Sequence, residues 1–188
     1  MTTYLATLGF IAGFATISLA QIRKKIPQVK VIMTIDAPVD SAFNYIVPVD
    51  LSRIFKRHKN LPAIIKTDES EQWIKAGLSR TVYFEDGSTA RETLLTVVPP
   101  TSFSYKIENF TSQLRFLAKR IEGDWAFTDL GNGQTKIEWT YKVIPKNLFA
   151  RGIINLVLLN NLRDMLKNAL TILKDDLERE AASTTVYE

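Results

Sequence analysis

The segment TKIEWTYKV, residues 135–143, decides the fold of this chain, because apolar and polar side chains alternate along it almost without a break. Successive side chains of a strand point to opposite faces of a sheet. Ile137, Trp139, Tyr141 and Val143 therefore share one face, while the lysines and the glutamate lie on the other. This pattern is typical of an antiparallel strand with one buried and one solvated face.

A long amphipathic helix is predicted directly after this strand. Pro145 ends the strand, and the helix is expected from about Leu148 to Glu180. One side of the helix carries an apolar stripe, made of Ile154, Leu158, Leu162, Met165, Ala169 and Leu173. A helix of this length with one apolar stripe is expected to lie across the buried face of the sheet.

Upstream of residue 135, the chain predicts further strands and a pair of short helices. Strands are expected at 29–35, 78–85, 88–98, 103–108 and 119–130. Asp86-Gly87 marks a tight hairpin turn, because glycine accepts a positive φ. A helix follows Pro38, and a shorter one is expected near residues 49–55. This order of elements predicts an α+β fold, with a curved antiparallel sheet wrapped on a long C-terminal helix.

The predicted buried face carries many aromatic side chains, and this favours an internal pocket. A twisted sheet curls, and large rings on its concave face do not close completely against one helix. A hydrophobic small molecule is therefore the expected ligand. The candidate ligand-binding residues are Tyr83, Leu95, Phe103, Tyr105, Trp125, Phe127, Trp139, Tyr141, Leu158, Leu162 and Met165.

The segment TIDAPVDSAF, residues 34–43, resembles the opening of the START/Bet v 1-like superfamily, also called SRPBCC or polyketide cyclase/dehydrase and lipid-transport proteins. Further similarities follow in the same order along the chain. They are Gly77 and Arg80 before a strand, the turn DGS (86–88) leading to RE (91–92), the pair Pro99-Pro100 before FSY (103–105), the turn GNGQT (131–135), and the long last helix. The resemblance spans about residues 29–180. It implies the helix-grip fold and a cavity for a hydrophobic ligand, but little about chemistry.

The N-terminal residues 2–22 carry no charged side chain, and Arg23, Lys24 and Lys25 follow at once. As a helix, residues 4–22 would be about 28 Å long, close to the thickness of a bilayer core. The basic residues predict that the rest of the chain faces the cytoplasm, as a single-pass protein of the inner (plasma) membrane. The expected organisation is therefore 1–28 as transmembrane helix and linker, 29–182 as the START/Bet v 1-like domain, and 183–188 as a flexible tail.

Two other interpretations of residues 2–22 remain open: a signal peptide cleaved near Ser18-Leu19-Ala20, and a buried helix of a soluble protein. Gly9 and Gly13 lie one turn apart, a spacing that lets a second transmembrane helix approach closely. Such a spacing also occurs simply because small residues are common in membrane helices.

Composition excludes several classes of function. The chain of 188 residues has no cysteine and one histidine, so disulfides, zinc–thiolate sites and polyhistidine metal sites are excluded. No metal and no cofactor are expected. The net charge is +4, with basic clusters at 23–25 and 53–59. Anionic lipid head groups are the expected partner of these basic clusters. The alternative is a solvated surface that happens to be basic. Nucleic acid is not an expected partner, because no nucleic-acid motif is present.

Three functions are compatible with the sequence: a membrane-anchored carrier of a lipid, quinone or similar molecule, an accessory or scaffold subunit of a membrane complex, and a cyclase/dehydratase-type enzyme. Catalysis is disfavoured, because the sequence shows no nucleophile with its base and no phosphate loop. The candidate acids are Glu85, Glu92, Asp124, Asp129 and Glu138. Only one of Arg91 and Glu92 can face inward, and a surface ion pair is the favoured role of Glu92.

The stretch 148–159 is apolar on more than one face, beyond what a surface helix needs. We expect it to lie near the mouth of the pocket and to contact a membrane or a partner. The other interpretation is that it is buried against the sheet and the first helices.

Overall fold

The computed structural model describes residues 25–68 and 72–185 of the chain. Seven strands form one antiparallel sheet: β1 Gln28–Ile35, β2 Ile64–Thr67, β3 Ser79–Phe84, β4 Thr89–Val98, β5 Ser102–Glu108, β6 Ala118–Gly131 and β7 Gln134–Pro145. Their order across the sheet is β1-β7-β6-β5-β4-β3-β2. The strand predicted from TKIEWTYKV is the central part of β7, which pairs with β1 and with the longest strand, β6.

Helices occupy the concave side of this sheet. They are α1 Val39–Ile46, α2 Leu51–Ile54, α3 Leu114–Leu117, α4 Leu148–Ile153 and α5 Leu159–Thr185. Helices α4 and α5 are joined by a π-helical turn, Ile154–Leu158, so residues 148–185 form one continuous helical segment. The apolar stripe of α5 packs on the sheet, with Leu166, Leu170 and Leu173 completely buried.

Polar contacts fix α5 against the first helices. The guanidinium of Arg53 donates to Asp176 of α5 at 2.9 Å, and the Tyr45 hydroxyl donates to the same carboxylate at 3.1 Å. At the other end of α1, the Glu178 carboxylate accepts from the backbone N–H of Asp36. The C-terminal half of α5 is thereby held against α1 and α2.

The structure confirms the α+β helix-grip fold expected from the sequence. The π-helical turn was not predicted, and such turns are frequent at functional sites. The predicted transmembrane helix, with Gly9, Gly13, Arg23 and Lys24, lies outside the described residues. Within 25–68 and 72–185, no helix is both long and apolar enough to cross a bilayer. The predicted tail overlaps the end of α5 at 183–185 and otherwise lies outside the described range.

Candidate functional site

One half of the interior is filled by its own aromatic rings. This filled half is defined by Phe43, Phe103, Trp125, Phe127 and Trp139, all buried. Trp125 and Trp139 lie opposite each other on β6 and β7, and their rings stack with centroids 4.1 Å apart. Phe43 of α1 packs edge-on against Phe127, with centroids 5.3 Å apart. The void that remains there has a volume of about 20 Å³, which is room for about one water molecule.

The other half contains a cavity of about 350 Å³. This volume lies at the small end of the range of pockets that enclose small organic ligands. The lining is largely apolar and comes from the sheet, the 60–62 loop, the region of α3 and the last helical segment. Its apolar members are Leu51, Phe55, Leu61, Pro62, Ile64, Val82, Phe84, Ile107, Phe110, Leu114, Leu117, Ile121, Ile153, Val157, Leu158, Leu162 and Met165. We call this region the hollow half.

The π-helical turn lies at the mouth of the cavity. Ile154 of this turn is buried in the core, whereas Val157 lines the cavity and is 58% exposed. Leu148, Phe149 and Leu156 are also largely exposed, at 62%, 79% and 82%. Together with Val157 they form what we call the apolar patch. Ile153, Val157 and Leu158 of the stretch 148–159 line the cavity, while Ala150 and Ile154 anchor the stretch to the core. Its contact with a membrane or a partner stays a prediction.

A buried ion pair lies at the boundary between the two halves, and its carboxylate lines the cavity. The Arg80 guanidinium nitrogen Nε donates to Glu92 Oε2 at 2.6 Å, and the two residues are only 2% and 3% exposed. The Trp73 ring covers the guanidinium carbon of Arg80 at 4.1 Å from the ring centroid. The carboxylate of Glu92 is thereby held at the boundary between the two halves, where it lines both the small void and the cavity.

This placement corrects the surface role predicted for Glu92. Glu92 is the inward-facing residue, and Arg91, which lies opposite Thr81, is the exposed one. The register of the β3–β4 hairpin pairs Arg80 with Glu92. Counting outward from the turn at 85–87 would have brought these two charges together, since side chains of directly opposed residues share one face of a sheet. Adjacency along the chain indicates only Arg91 as a neighbour of Glu92.

A chain of hydrogen bonds connects the filled half to the cavity. The indole N–H of Trp139 donates to the Tyr105 hydroxyl, and that hydroxyl donates to Tyr141, each at 3.0 Å. Burial raises the pKa of both phenols above the ordinary value of 10.0, so both are protonated at neutral pH. The Tyr105 ring lies directly over Gly123, where a Cβ atom would come within 2.4 Å of Cζ. A glycine at 123 therefore permits the position of Tyr105.

The predicted ligand-binding residues are divided among three places. Tyr141, Leu158, Leu162 and Met165 line the cavity. Phe103, Tyr105, Trp125, Phe127 and Trp139 lie in or beside the filled half, where they pack mainly on one another. Tyr83 and Leu95 do not line the cavity, and ligand contact by any of these residues stays a prediction.

Strand alternation explains the positions of Tyr83 and Leu95. Val82 and Phe84 of β3 face the cavity, so Tyr83 between them faces outward and lies near Asp68. Leu94 of β4 is completely buried, and Leu95, which lies at an irregularity of the β4–β5 ladder between Leu94 and Thr96, is exposed. The prediction from the sequence is therefore one position out of phase for both residues. The cavity residues that it missed on β3, β5 and β6 are branched or aromatic residues that simple alternation would have assigned once the phase was right.

The candidate acids differ in environment. Glu138 lies on the outer face of β7, as predicted, where bonds from Lys30 and Lys136 lower its carboxyl pKa. Asp124 pairs with Lys142 at 2.8 Å, and Glu85 pairs with Arg57 at 2.7 Å. Of the five candidates, all within the described part of the chain, Glu92 alone lines the cavity. Within residues 25–68 and 72–185, no three carboxylate or imidazole groups lie close enough together to hold a metal ion.

Residues 27–178 match the family model described as polyketide cyclase / dehydrase and lipid transport. A comparison with curated protein sequences found no match. Among solved structures, a norcoclaurine synthase from Thalictrum flavum is similar with a TM-score of 0.63 at 9% identity, over 84% of this chain and 97% of that one. Major latex-like protein 151 from Panax ginseng gives a TM-score of 0.59 at 14% identity, over 80% and 96%. Ara h 8.0201 gives 0.58 at 18% identity, over 85% and 99%. Identities this low establish a common fold only.

Proposed function

Because the chain belongs to the polyketide cyclase/dehydrase and lipid transport family, we propose that it binds a hydrophobic molecule between the sheet and the last helix and exchanges it with a membrane. The observation that carries this proposal is the apolar cavity of about 350 Å³ in the hollow half. An apolar cavity of this size gains free energy by enclosing an apolar ligand, because the ligand surface is removed from water.

The membrane side of the proposal rests on where the described chain begins. The guanidinium of Arg151 in α4 donates to the backbone carbonyl of Lys25. Lys25, the first described residue, therefore lies beside α4, the helix that carries Leu148 and Phe149 of the apolar patch. If residues 2–22 span a bilayer, the patch and Lys25 lie near its surface, and the patch is suited to enter the head-group region.

The cavity mouth lies on the same helical segment as the patch. Val157 belongs to the apolar patch and also lines the cavity. A hydrophobic molecule leaving the bilayer at this point would reach the cavity without crossing water. The tether keeps the mouth at the membrane, which favours repeated uptake and release over long-range diffusion.

Ligand binding is tested by native mass spectrometry of the full chain in mild detergent. The wild-type protein is expected to carry a small apolar molecule. Met165→Trp places a larger side chain in the cavity and is expected to abolish the bound mass, whereas Lys167→Trp on the exposed side of α5 retains it. A wild-type protein without any bound molecule, or equal occupancy in both variants, would contradict the proposal.

Membrane contact is tested by fluorescence quenching with brominated lipids in vesicles that contain the full chain. The three native tryptophans, Trp73, Trp125 and Trp139, are buried, so they give a low and constant background. Phe149→Trp is expected to be quenched, because position 149 belongs to the apolar patch. Ile32→Trp, which is 57% exposed on β1, is the matched control and is expected to stay unquenched. Equal quenching of the two variants would remove the membrane-contact part of the proposal and leave the ligand part untouched.

One observation favours a second function, that of an accessory subunit in a membrane complex. The filled half leaves only about 20 Å³ of space, so part of the interior is a solid scaffold and not a ligand site. In this alternative, Gly9 and Gly13 of the proposed transmembrane helix pack on a partner helix. Purification in mild detergent separates the two: co-purification of another chain at fixed stoichiometry, lost on Gly9→Leu/Gly13→Leu, supports the subunit.

A further inference from the structure

Among the residues that the structure describes, the buried polar groups that line the cavity include a carboxylate and a hydroxyl but no cation. Glu92 and Tyr141 are the buried polar residues among the described residues that line the cavity, at 3% and 4% exposure. The other polar lining residues, Asn60, Asp86, Ser88, Ser112, Gln113 and Asn161, lie nearer the solvent. Within the same described lining, there is no lysine or arginine, whereas two carboxylates, Glu92 and Asp86, are present.

The cation that balances Glu92 is kept away from the cavity. Arg80 borders the small void of the filled half and is covered by Trp73, while the carboxylate of Glu92 reaches both spaces. A ligand that enters the cavity therefore meets the carboxylate first. A carboxylate offers about four acceptor positions, so its bond to Arg80 does not prevent it from accepting another.

From this arrangement we infer that the ligand is an uncharged amphiphile with a hydroxyl head group, which inserts head first and donates a hydrogen bond to Glu92. The inference rests on the proposed function and names the class of molecule that the same cavity takes. The Tyr141 hydroxyl accepts from Tyr105 and can donate its own hydrogen to the oxygen of the ligand. A hydroxyl, which both donates and accepts, satisfies the two groups together.

Charged head groups fit this wall less well. A carboxylate ligand would place a second anion beside Glu92 with no cation in the lining, and an unpaired buried charge is strongly disfavoured. An alkylammonium would pair with Glu92, but that charge is already balanced by Arg80 at 2.6 Å. An alkane would leave the two buried polar groups without a ligand partner. The neutral hydroxyl is thus the head group that the wall selects.

The test is a competition measured by native mass spectrometry on the full chain in detergent micelles. The micelles contain equal mole fractions of 1-dodecanol, dodecanoate and dodecylammonium at pH 8. We expect dodecanol to occupy the wild-type cavity at least about tenfold more than either ion, the ratio of one charge-assisted hydrogen bond. Occupancy by dodecanoate equal to or above that of dodecanol would overturn the inference. If none of the three probes binds, the proposed function fails with it.

Two variants test whether Glu92 and Tyr141 cause the preference for dodecanol. Glu92→Gln removes the negative charge and leaves the Arg80 cation nearby, so the preference is expected to shift toward dodecanoate. If this variant does not fold, Tyr141→Phe serves instead, because it removes one hydroxyl in place; dodecanol occupancy is expected to fall several-fold and dodecanoate occupancy to stay unchanged. An unchanged ratio in the folded variant would show that the head group lies elsewhere, and would overturn the inference while ligand binding itself remained.

Discussion

Strand β5 crosses both halves of the interior, and its inward side chains change character along the way. Phe103 packs flat against Trp125 in the filled half, with ring centroids 5.3 Å apart. Ile107, four residues further along the same face, borders the cavity. Strand β6 shows the same change, from Trp125 and Phe127 in the filled half to Ile121 at the cavity.

The comparison indicates that side-chain volume, and not strand pairing, decides where the sheet is hollow. Both halves belong to one hydrogen-bonded sheet, and the same helical segment covers them. Protein interiors are packed at nearly crystalline density, so a void persists only where neighbouring side chains are too short or too rigid to fill it. Stacked rings close the filled half, whereas the inward residues of β5 and β6 in the hollow half are the smaller Ile107 and Ile121.

The largest expected effect concerns the ion pair at the boundary between the halves. Glu92→Leu and Arg80→Met, each made singly, should lower the free energy of unfolding by about 3–5 kcal/mol, because each removes one partner of a buried ion pair. The double variant should recover most of this loss, since it removes both charges. Urea unfolding followed by tryptophan fluorescence measures all three. Losses that add up in the double variant would show that the two residues do not act as a pair.

The second prediction compares equal truncations in the two halves. Ile137→Ala removes a fully buried side chain opposite Phe127 and should destabilise the fold by about 2–5 kcal/mol, because it creates a new void. Ile121→Ala only enlarges an existing cavity, so its loss should be smaller by about 1 kcal/mol or more. Urea unfolding of both variants gives the difference directly. Equal losses would contradict the description of one half as filled and the other as hollow.

Much of this division could be predicted from the sequence, but its boundary could not. Alternation in β7 correctly placed Trp139 and Tyr141 on the inner face, and the order of elements gave the helix-grip fold. Whether Trp139 contacts a ligand or another ring depends on the stagger of β6 against β7, which places Trp125 opposite it. An irregularity between Asp129 and Gly131 shifts the register of this hairpin by one residue, and the alternation of β7 does not show it.

The ion pair shows a second limit of local reasoning. Glu92 is next to Arg91 in sequence, yet its partner is Arg80 on the neighbouring strand. The turn length fixes this register, since a three-residue connection at 85–87 opposes residues 80 and 92. Tyr83 and Leu95 were misplaced by one residue, and such a slip reverses the face of a strand residue.

The third prediction concerns the glycine beneath Tyr105. Gly123→Ala should destabilise the fold by about 1–3 kcal/mol, because the new methyl group would overlap the Tyr105 ring beside the filled half. Gly152→Ala is the matched control in α4, where nothing lies within 4 Å of the added atom. It should stabilise the helix by about 0.5–1 kcal/mol. Thermal unfolding of the two variants tests the contrast, and a neutral Gly123→Ala would show that Tyr105 moves freely.

The smallest expected effect lies on the outer face of β7, one residue away from Trp139. Hydrogen bonds from Lys30 and Lys136 lower the carboxyl pKa of Glu138 below its ordinary value of 4.5. A lowered folded-state pKa stabilises the fold at pH above that ordinary value, and the contribution is lost as the pH falls through the folded-state pKa. Glu138→Gln should therefore reduce stability by at most about 1 kcal/mol at pH 7, since exposed ion pairs contribute little. Urea unfolding at pH 7 and pH 3 should show the difference from wild type shrinking at the lower pH. A difference as large as that of Ile137→Ala would mean that the outer face stabilises the sheet as much as the rings inside it.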